Sequence, residues 1–551
     1  MVPDSAAVLT RRITIHTQQR QGSCPHFWQA AGDDTAFAWT LDPCGQTLLD
    51  EIARTRCIRW FRNHHALSQA IRLPDGRLVR AYSEDAEGRP HYDFSGLDAV
   101  YDRWLAVGMK PIVELDFLPE ELCEPGKRLP RNTPEMWEKW RGLLRAFIIH
   151  LQQRYGVAET RSWYFEDWNE PDFWPRARLN EFFRLHDEAV AALESVDQQL
   201  RIGGPAAIAL PFCDQFMQQI TFGKNQVTGG IGSRCDYISL HQYGVSGNTL
   251  TYHPALVPSP QDIAARCYWL YETMSVFPGM RGKEFHLNEW GMVSHFEKTA
   301  YEFPPLEIRN SEHFPLFMFK LVHQLFTLAD HRGDWLPTIM LLWAGAAETW
   351  YAKAPESRAS VMKGRSGLFA GNRSLTTAHG IFKPIFRGFE LLARLGDQRL
   401  AVSGGACGER AAVLATHGDG AIQALAYVFA EDGHGDGQEV HLDLVFTDLG
   451  CDGPAEAELT RLDRQHANAY RLWEQLGRPE EPDAATIERL RNASQLVDEE
   501  PIPIVVRDGR ATLGITIPNQ GAVLLVLRPR DGAFPPPTAA ADRRAITTAI
   551  A

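Results

Sequence analysis

Ser162-Trp-Tyr-Phe-Glu-Asp-Trp168 is an apolar run the length of a buried strand, and it ends in Asn169-Glu170-Pro171. Far downstream, Glu284-Phe-His-Leu-Asn-Glu289-Trp-Gly291 repeats the pattern: a buried run closed by a glutamate. In a parallel α/β barrel, chemistry is done at the C-terminal ends of the strands. Two strand-terminal glutamates are therefore a candidate acid/base and nucleophile pair. They lie about three βα units apart, at roughly 30–40 residues per unit. That spacing puts Glu170 after a fourth strand and Glu289 after a seventh.

Strands and helices alternate outward from these two anchors. Cys57-Ile-Arg-Trp-Phe61 reads as the first strand, His91-Tyr-Asp-Phe94 as a short second and Lys110 to Phe117 as the third. Glycine-rich Arg201 to Pro205 is the fifth, Asp236 to Tyr243 the sixth and Thr338 to Trp343 the eighth. Between them, Ser95 can cap a helix over 96–107. Thr133-Pro134-Glu135 supplies an N-cap, a proline at the first helical position and an acidic first turn. Trp137, Trp140, Leu144, Phe147, Ile148 and Leu151 follow at helical spacing, and further helices are expected at 260–277, 312–330 and 380–395. The fold class is α/β: a (β/α)8 TIM barrel over 41–395. No Gly-x-Gly-x-x-Gly follows an early strand, which disfavours an open doubly wound sheet. Beyond 395, short runs such as Ile422 to Phe429 and Ala522 to Leu527 alternate with Gly, Asp and Pro, the pattern of a β-sandwich over 396–530 with a helical insert near 465–495. Residues 1–40 form an N-terminal segment whose alternating stretch 10–18 supplies a strand to the β domain. The Pro/Ala-rich tail 531–551 is expected to be disordered.

Composition narrows the partners. The chain of 551 residues carries 56 Lys plus Arg against 69 Asp plus Glu, a net charge of −13. A mildly acidic protein has no global field for nucleic acid or an anionic membrane, and it suits a neutral substrate. Nine scattered cysteines without a C-x-x-C read as reduced thiols. With no apolar signal core at the N-terminus, the expected compartment is the cytoplasm. No run approaches 18 uninterrupted apolar residues. There is no His-Glu-x-x-His and no ligand spacing among the 19 histidines, so neither a metal nor another cofactor is expected.

With both glutamates in place, the chain resembles clan A of the retaining glycoside hydrolases, and family 39 within it, the family of bacterial β-xylosidases and animal α-L-iduronidases. Residues 50 to 500 carry the resemblance. Its pieces are Lys110 to Pro119, Trp163-Tyr-Phe-Glu-Asp-Trp-Asn-Glu-Pro171, Ile238-Ser-Leu-His-Gln-Tyr243, Phe285 to Trp290, Gly380 to Leu392, and Asp463 to Tyr470 with Trp473. The last, within the insert, favours the xylosidase branch.

The resemblance implies Glu170 as general acid/base and Glu289 as nucleophile. It further implies that Asn169 meets the sugar 2-hydroxyl and that His241 and Tyr243 surround the nucleophile and the sugar. Trp343 would be the floor of the sugar subsite, with a cis peptide after it. His64 falls at the family's His-x-x-Leu-Ser position, and Phe117 would line the subsite. Beyond Trp343 the family places an acidic pair, whereas this chain has only Glu348, at a different spacing. The implied reaction is retaining exo-hydrolysis of a small oligosaccharide, with xylose as the first choice of terminal sugar and an arabinoside, a uronide or another pyranoside as the alternative. A non-catalytic carbohydrate-binding protein is the reading from another class. Homo-oligomers are implied as well. Arg59 and Glu166, read from their strands, would form a buried ion pair, since a lone charge there is costly.

Overall fold

The computed structural model describes residues 9–245, 257–294, 299–301, 303–333, 335–347, 368–377, 379–431 and 437–540. Eight parallel strands close into a barrel in the order Ala30–Gly32, Trp60–Asn63, Lys110–Glu114, Tyr164–Glu166, Arg201–Ala207, Tyr237–Tyr243, Glu284–Gly291 and Ile339–Trp343. Their residues are almost all buried, as expected when helices cover one face and the barrel interior the other.

The first barrel strand differs from the sequence expectation. Ala30–Gly32 pairs with Leu341–Trp343 on one side and Trp60–Arg62 on the other, so the barrel begins near residue 30 rather than 41. The strand read as first is extended to Trp60–Asn63 and becomes the second. Residues 90–92 instead pair with 82–84 in a hairpin outside the barrel. Three small residues carry no hydrophobic period, which hid the true first strand. Their smallness is what the site needs: a Cβ on Gly32 would stand 2.7 Å from the Trp343 ring.

The helices follow their sequence signals closely. Thr133 accepts from the Met136 N–H and opens Pro134–Tyr155, which Gly156 ends at φ 86°. Ser95 is not a cap. It is the first residue of helix Ser95–Ala106, and Asp93 accepts its N–H. Among the described residues, no helix is long and apolar enough to cross a membrane.

The β domain is one continuous, mostly antiparallel sheet that folds around a single core. Its two edge strands, Ile502–Val506 and Ala511–Ile517, both contribute to that core. Leu9–Ser23 is an interior strand of it, between Gln398–Ser403 and Val440–Thr447. The stretch expected to be a disordered tail is partly ordered. Phe534 is buried in the sheet core, its N–H donates to the Gly420 carbonyl, and Ala539–Ala540 pairs with Gln19–Arg20. One phenylalanine among prolines and alanines is enough to anchor the segment. Residues 541–551 lie outside the described residues.

Two helices, Ala469–Gln475 and Ala484–Ala493, form the insert. Tyr470, Trp473 and Leu490 pack on Leu368, Phe369 and Ile381 of the segment that follows barrel strand eight. Asn468 and Arg471 both donate to Glu312, at the foot of helix His313–Arg332. The insert thus braces the barrel rather than the sheet it interrupts.

Candidate active site

The strand-four and strand-seven glutamates meet at the barrel mouth. One oxygen of Glu170, one of Glu289 and a ring nitrogen of His241 all lie within 4.8 Å of one another. Glu170 holds a left-handed backbone at φ 50°, an uncommon state for a residue with a side chain. Its N–H donates to the Ala206 carbonyl of strand five, which helps fix that turn.

Glu289 is almost fully buried among donors. The Tyr243 hydroxyl donates to it, and His241 Nδ1 lies 3.4 Å away. Arg62 and Arg373 each approach it to 3.6 Å. Arg373 also donates to the Tyr243 hydroxyl, so one network ties strands six and seven to the segment braced by the insert.

Arg62 is the centre of the site's charge. It is fully buried, lies 2.5 Å from Glu114, donates at 2.8 Å to Glu166, and donates at 3.1 Å to Asn169 Oδ1. Glu166 also accepts from Ser239 and from Asn288. This replaces the expected Arg59–Glu166 pair: Arg59 is exposed and stacks on Trp60. Placing the strand at 57–61 rather than 60–63 selected the wrong arginine.

His64 stands beside this centre, 2.7 Å from Glu114 and 3.4 Å from Asp34. Burial opposes a charge on His64, but Glu114 and Asp116 outweigh it and hold its pKa well above the usual histidine value. His241 is the opposite case. Burial, helped by the surrounding cations and opposed by Glu289, drives it down to about 3, so it is neutral. Its Nδ1 lies 2.8 Å from Glu170. Burial, ahead of every neighbouring charge, pushes Glu170 up to about 7.

Trp343 packs under His64, with ring centroids 4.5 Å apart, and under the Arg62 guanidinium at 5.3 Å. It is 2% exposed, so it lies below the site and offers a ligand little of its face. The expected cis peptide after it is absent. The cis bonds among the described residues are Asp116–Phe117 and Gly204–Pro205. Phe117 forms a half-buried wall against His64, His65 and Trp168. Glu348 lies outside the described residues.

Sequence reading missed Arg62, Arg373, Glu114, Asp116 and Asp34. The alternation Glu114-Leu-Asp116 at the end of strand three was the available signal for two of them. Two carboxylate–histidine clusters, His64 with Glu114 and Asp116, and His241 with Glu170 and Glu289, have the reach to hold an ion. Arg62 already supplies a cation to both.

The family model "Glycosyl hydrolases family 39" matches residues 12–512. The chain is similar to a "Beta-xylosidase" of Geobacillus stearothermophilus, 26% identical over 80% of this chain and 81% of that protein. It is also similar to an "Alpha-L-iduronidase" of Mus musculus, 23% identical over 81% of this chain and 70% of that protein. Among solved structures, the GH39 enzyme from Xanthomonas axonopodis pv. citri superposes with a TM-score of 0.76 at 21% identity, covering 96% of this chain and 99% of that one. A barrel with two glutamates at its mouth and a family match across nearly the whole chain lead to one assignment: this chain belongs to glycoside hydrolase family 39 and is a glycosidase.

Proposed function

We propose that the protein is a retaining exo-glycosidase that removes terminal β-xylose from short xylo-oligosaccharides. The observation that carries the mechanism is the close approach of Glu170 and Glu289, within 4.8 Å. Retaining enzymes hold their carboxyls about 5–5.5 Å apart, whereas inverting enzymes leave about 6.5–9.5 Å for a water. In the first step Glu289 attacks the anomeric carbon while Glu170 gives its proton to the departing oxygen. In the second, Glu170 takes a proton from water, which displaces Glu289 with net retention. Tyr243, Arg62 and Arg373 orient Glu289. Asn169, held by Arg62, meets the sugar 2-hydroxyl. His241, neutral, positions Glu170.

Similarity to proteins named Beta-xylosidase supports xylose. A second sugar has its own support: similarity to a protein named Alpha-L-iduronidase points to a uronide. A panel of aryl glycosides separates the two. The β-xyloside should give the largest kcat/KM; a larger value for a uronide would reassign the sugar and leave the mechanism intact.

The raised pKa of Glu170 sets the pH response. Its protonated form is the acid, and burial keeps the proton on up to about pH 7. With a poor leaving group, kcat/KM should be steady just below pH 7 and fall about tenfold per unit above it. With an activated aryl leaving group that limb should weaken, because the bond then breaks without help. An identical alkaline limb on both substrates would assign it to another group.

A further inference from the structure

The chain continues from Glu170 into a tight 3-10 turn, Pro171–Phe173, closed by the Phe173 N–H donating to the Glu170 carbonyl. The Asp172 carboxylate accepts from the N–H groups of Ile208 and Ala209, at 3.1 and 2.9 Å. That clamps the turn over the end of barrel strand five. Gln242, at the end of strand six, donates to the Ile208 carbonyl and fixes the other side. The turn is therefore rigid, and it is anchored at the mouth.

Two adjacent aromatics on it have opposite fates. Trp174 packs on Trp168 and Phe182. Phe173 is 73% exposed, more than any other phenylalanine or tryptophan among the described residues. Ile208, tied to it through Asp172, is also exposed. Single exposed apolar side chains need no explanation, and Phe222 and Trp269 are examples, on helices outside the barrel. Phe173 differs in place: it is three residues from Glu170, on a turn held by side-chain hydrogen bonds, and its neighbour Asp172 binds the N–H of a second exposed apolar residue, Ile208.

We infer that Phe173 and Ile208 form the apolar shelf of the subsite that receives the leaving group, and that its occupant is the next sugar ring of the oligosaccharide. The inference rests on Glu170 as the acid. The acid must stand beside the glycosidic oxygen, so the departing ring extends from that oxygen on the Glu170 side, where the shelf lies. The axial C–H face of a pyranose is apolar and matches a phenyl face. Binding energy gathered there, away from the reacting carbon, can be used in the transition state.

The test compares two substrates with the same terminal sugar, the sugar that the aryl panel selects: its disaccharide and its methyl glycoside. The disaccharide occupies the shelf and the methyl group does not. In Phe173→Ala, the ratio of kcat/KM for disaccharide over methyl glycoside should fall about 2- to 12-fold, the range of an aromatic face contact. Phe173→Trp should keep the ratio, and Phe222→Ala, exposed elsewhere, should match wild type. Wild-type turnover with an unchanged ratio in Phe173→Ala would overturn the shelf alone. Absence of turnover on every sugar of the panel would overturn the glycosidase reading and the shelf with it.

Discussion

Glu170→Ala should lose about 10²–10⁴-fold in kcat/KM on natural oligosaccharides, the usual contribution of a positioned proton donor, yet keep most of its glycosylation rate on a substrate whose aryl group leaves unaided. The covalent intermediate should then accumulate, because no base activates water. A burst of phenol followed by a slow steady state would report it. Azide needs no base, so it should restore turnover and give a glycosyl azide of retained configuration. Glu289→Ala should behave differently. Without the nucleophile, good and poor leaving groups should both fail, and any azide product should be inverted, since azide attacks from the vacated side. Equal losses on both substrate types in Glu170→Ala, with no azide adduct, would mean that the two roles are misassigned.

Arg62→Met should be the most damaging substitution among residues that do not react. It removes the one guanidinium shared by Glu114, Glu166, Asn169 and Glu289. The fully buried Glu166 would be left without its cation and Glu114 with His64 alone, and removing one partner of a buried pair costs about 3–5 kcal/mol. The urea midpoint should drop accordingly, with an unchanged m-value if the unfolded state is unaffected. Arg62→Lys should recover only part, since an ammonium cannot reproduce a planar fork that reaches several acceptors at once. The paired change Arg62→Met with Glu166→Gln should be less than additive, because the second substitution relieves what the first exposes. A midpoint equal to wild type in Arg62→Met would remove Arg62 from the structural account of the site.

How far the sequence carried the argument depended on the length of each signal. Strands four and seven lie in long apolar runs closed by a glutamate, so Glu170, Glu289 and their strand numbers were legible together. His241 and Tyr243 came from the family resemblance, and the structure puts both beside Glu289. The first barrel strand was not legible, because Ala30–Gly32 has neither length nor periodicity; its role comes from pairing with residues about 310 positions later. That miss made Trp60–Asn63 the first strand instead of the second and let the hairpin at 90–92 stand in as the second; the strand's bounds, read as 57–61, turned Arg62 into Arg59. Arg373 was out of reach for another reason. It belongs to no strand of the barrel, and it reaches Glu289 because a segment after strand eight is held by helices from the β-domain insert. Local pattern cannot reveal a contact made by tertiary bracing. The tail was misjudged because composition averages over a segment, whereas Phe534 acts singly.

The interior position of Leu9–Ser23 in the β sheet bears on how the chain is made. Its strand partners begin at Gln398 and Val440, and Arg399 donates to the Ser23 carbonyl from 376 residues downstream. A chain growing at about 5–20 residues per second therefore leaves this strand without its neighbours for roughly 20–80 s. During that wait its amides and the buried side chains Ile13 and Ile15 face solvent or a chaperone. The barrel, whose strands all lie between residues 30 and 343, can meanwhile close on contacts already synthesised. The sheet is built last around a strand made first, so the barrel is in effect a long loop closed by the β domain. The sequence separation of those contacts makes sheet completion the slow, aggregation-exposed stage of folding.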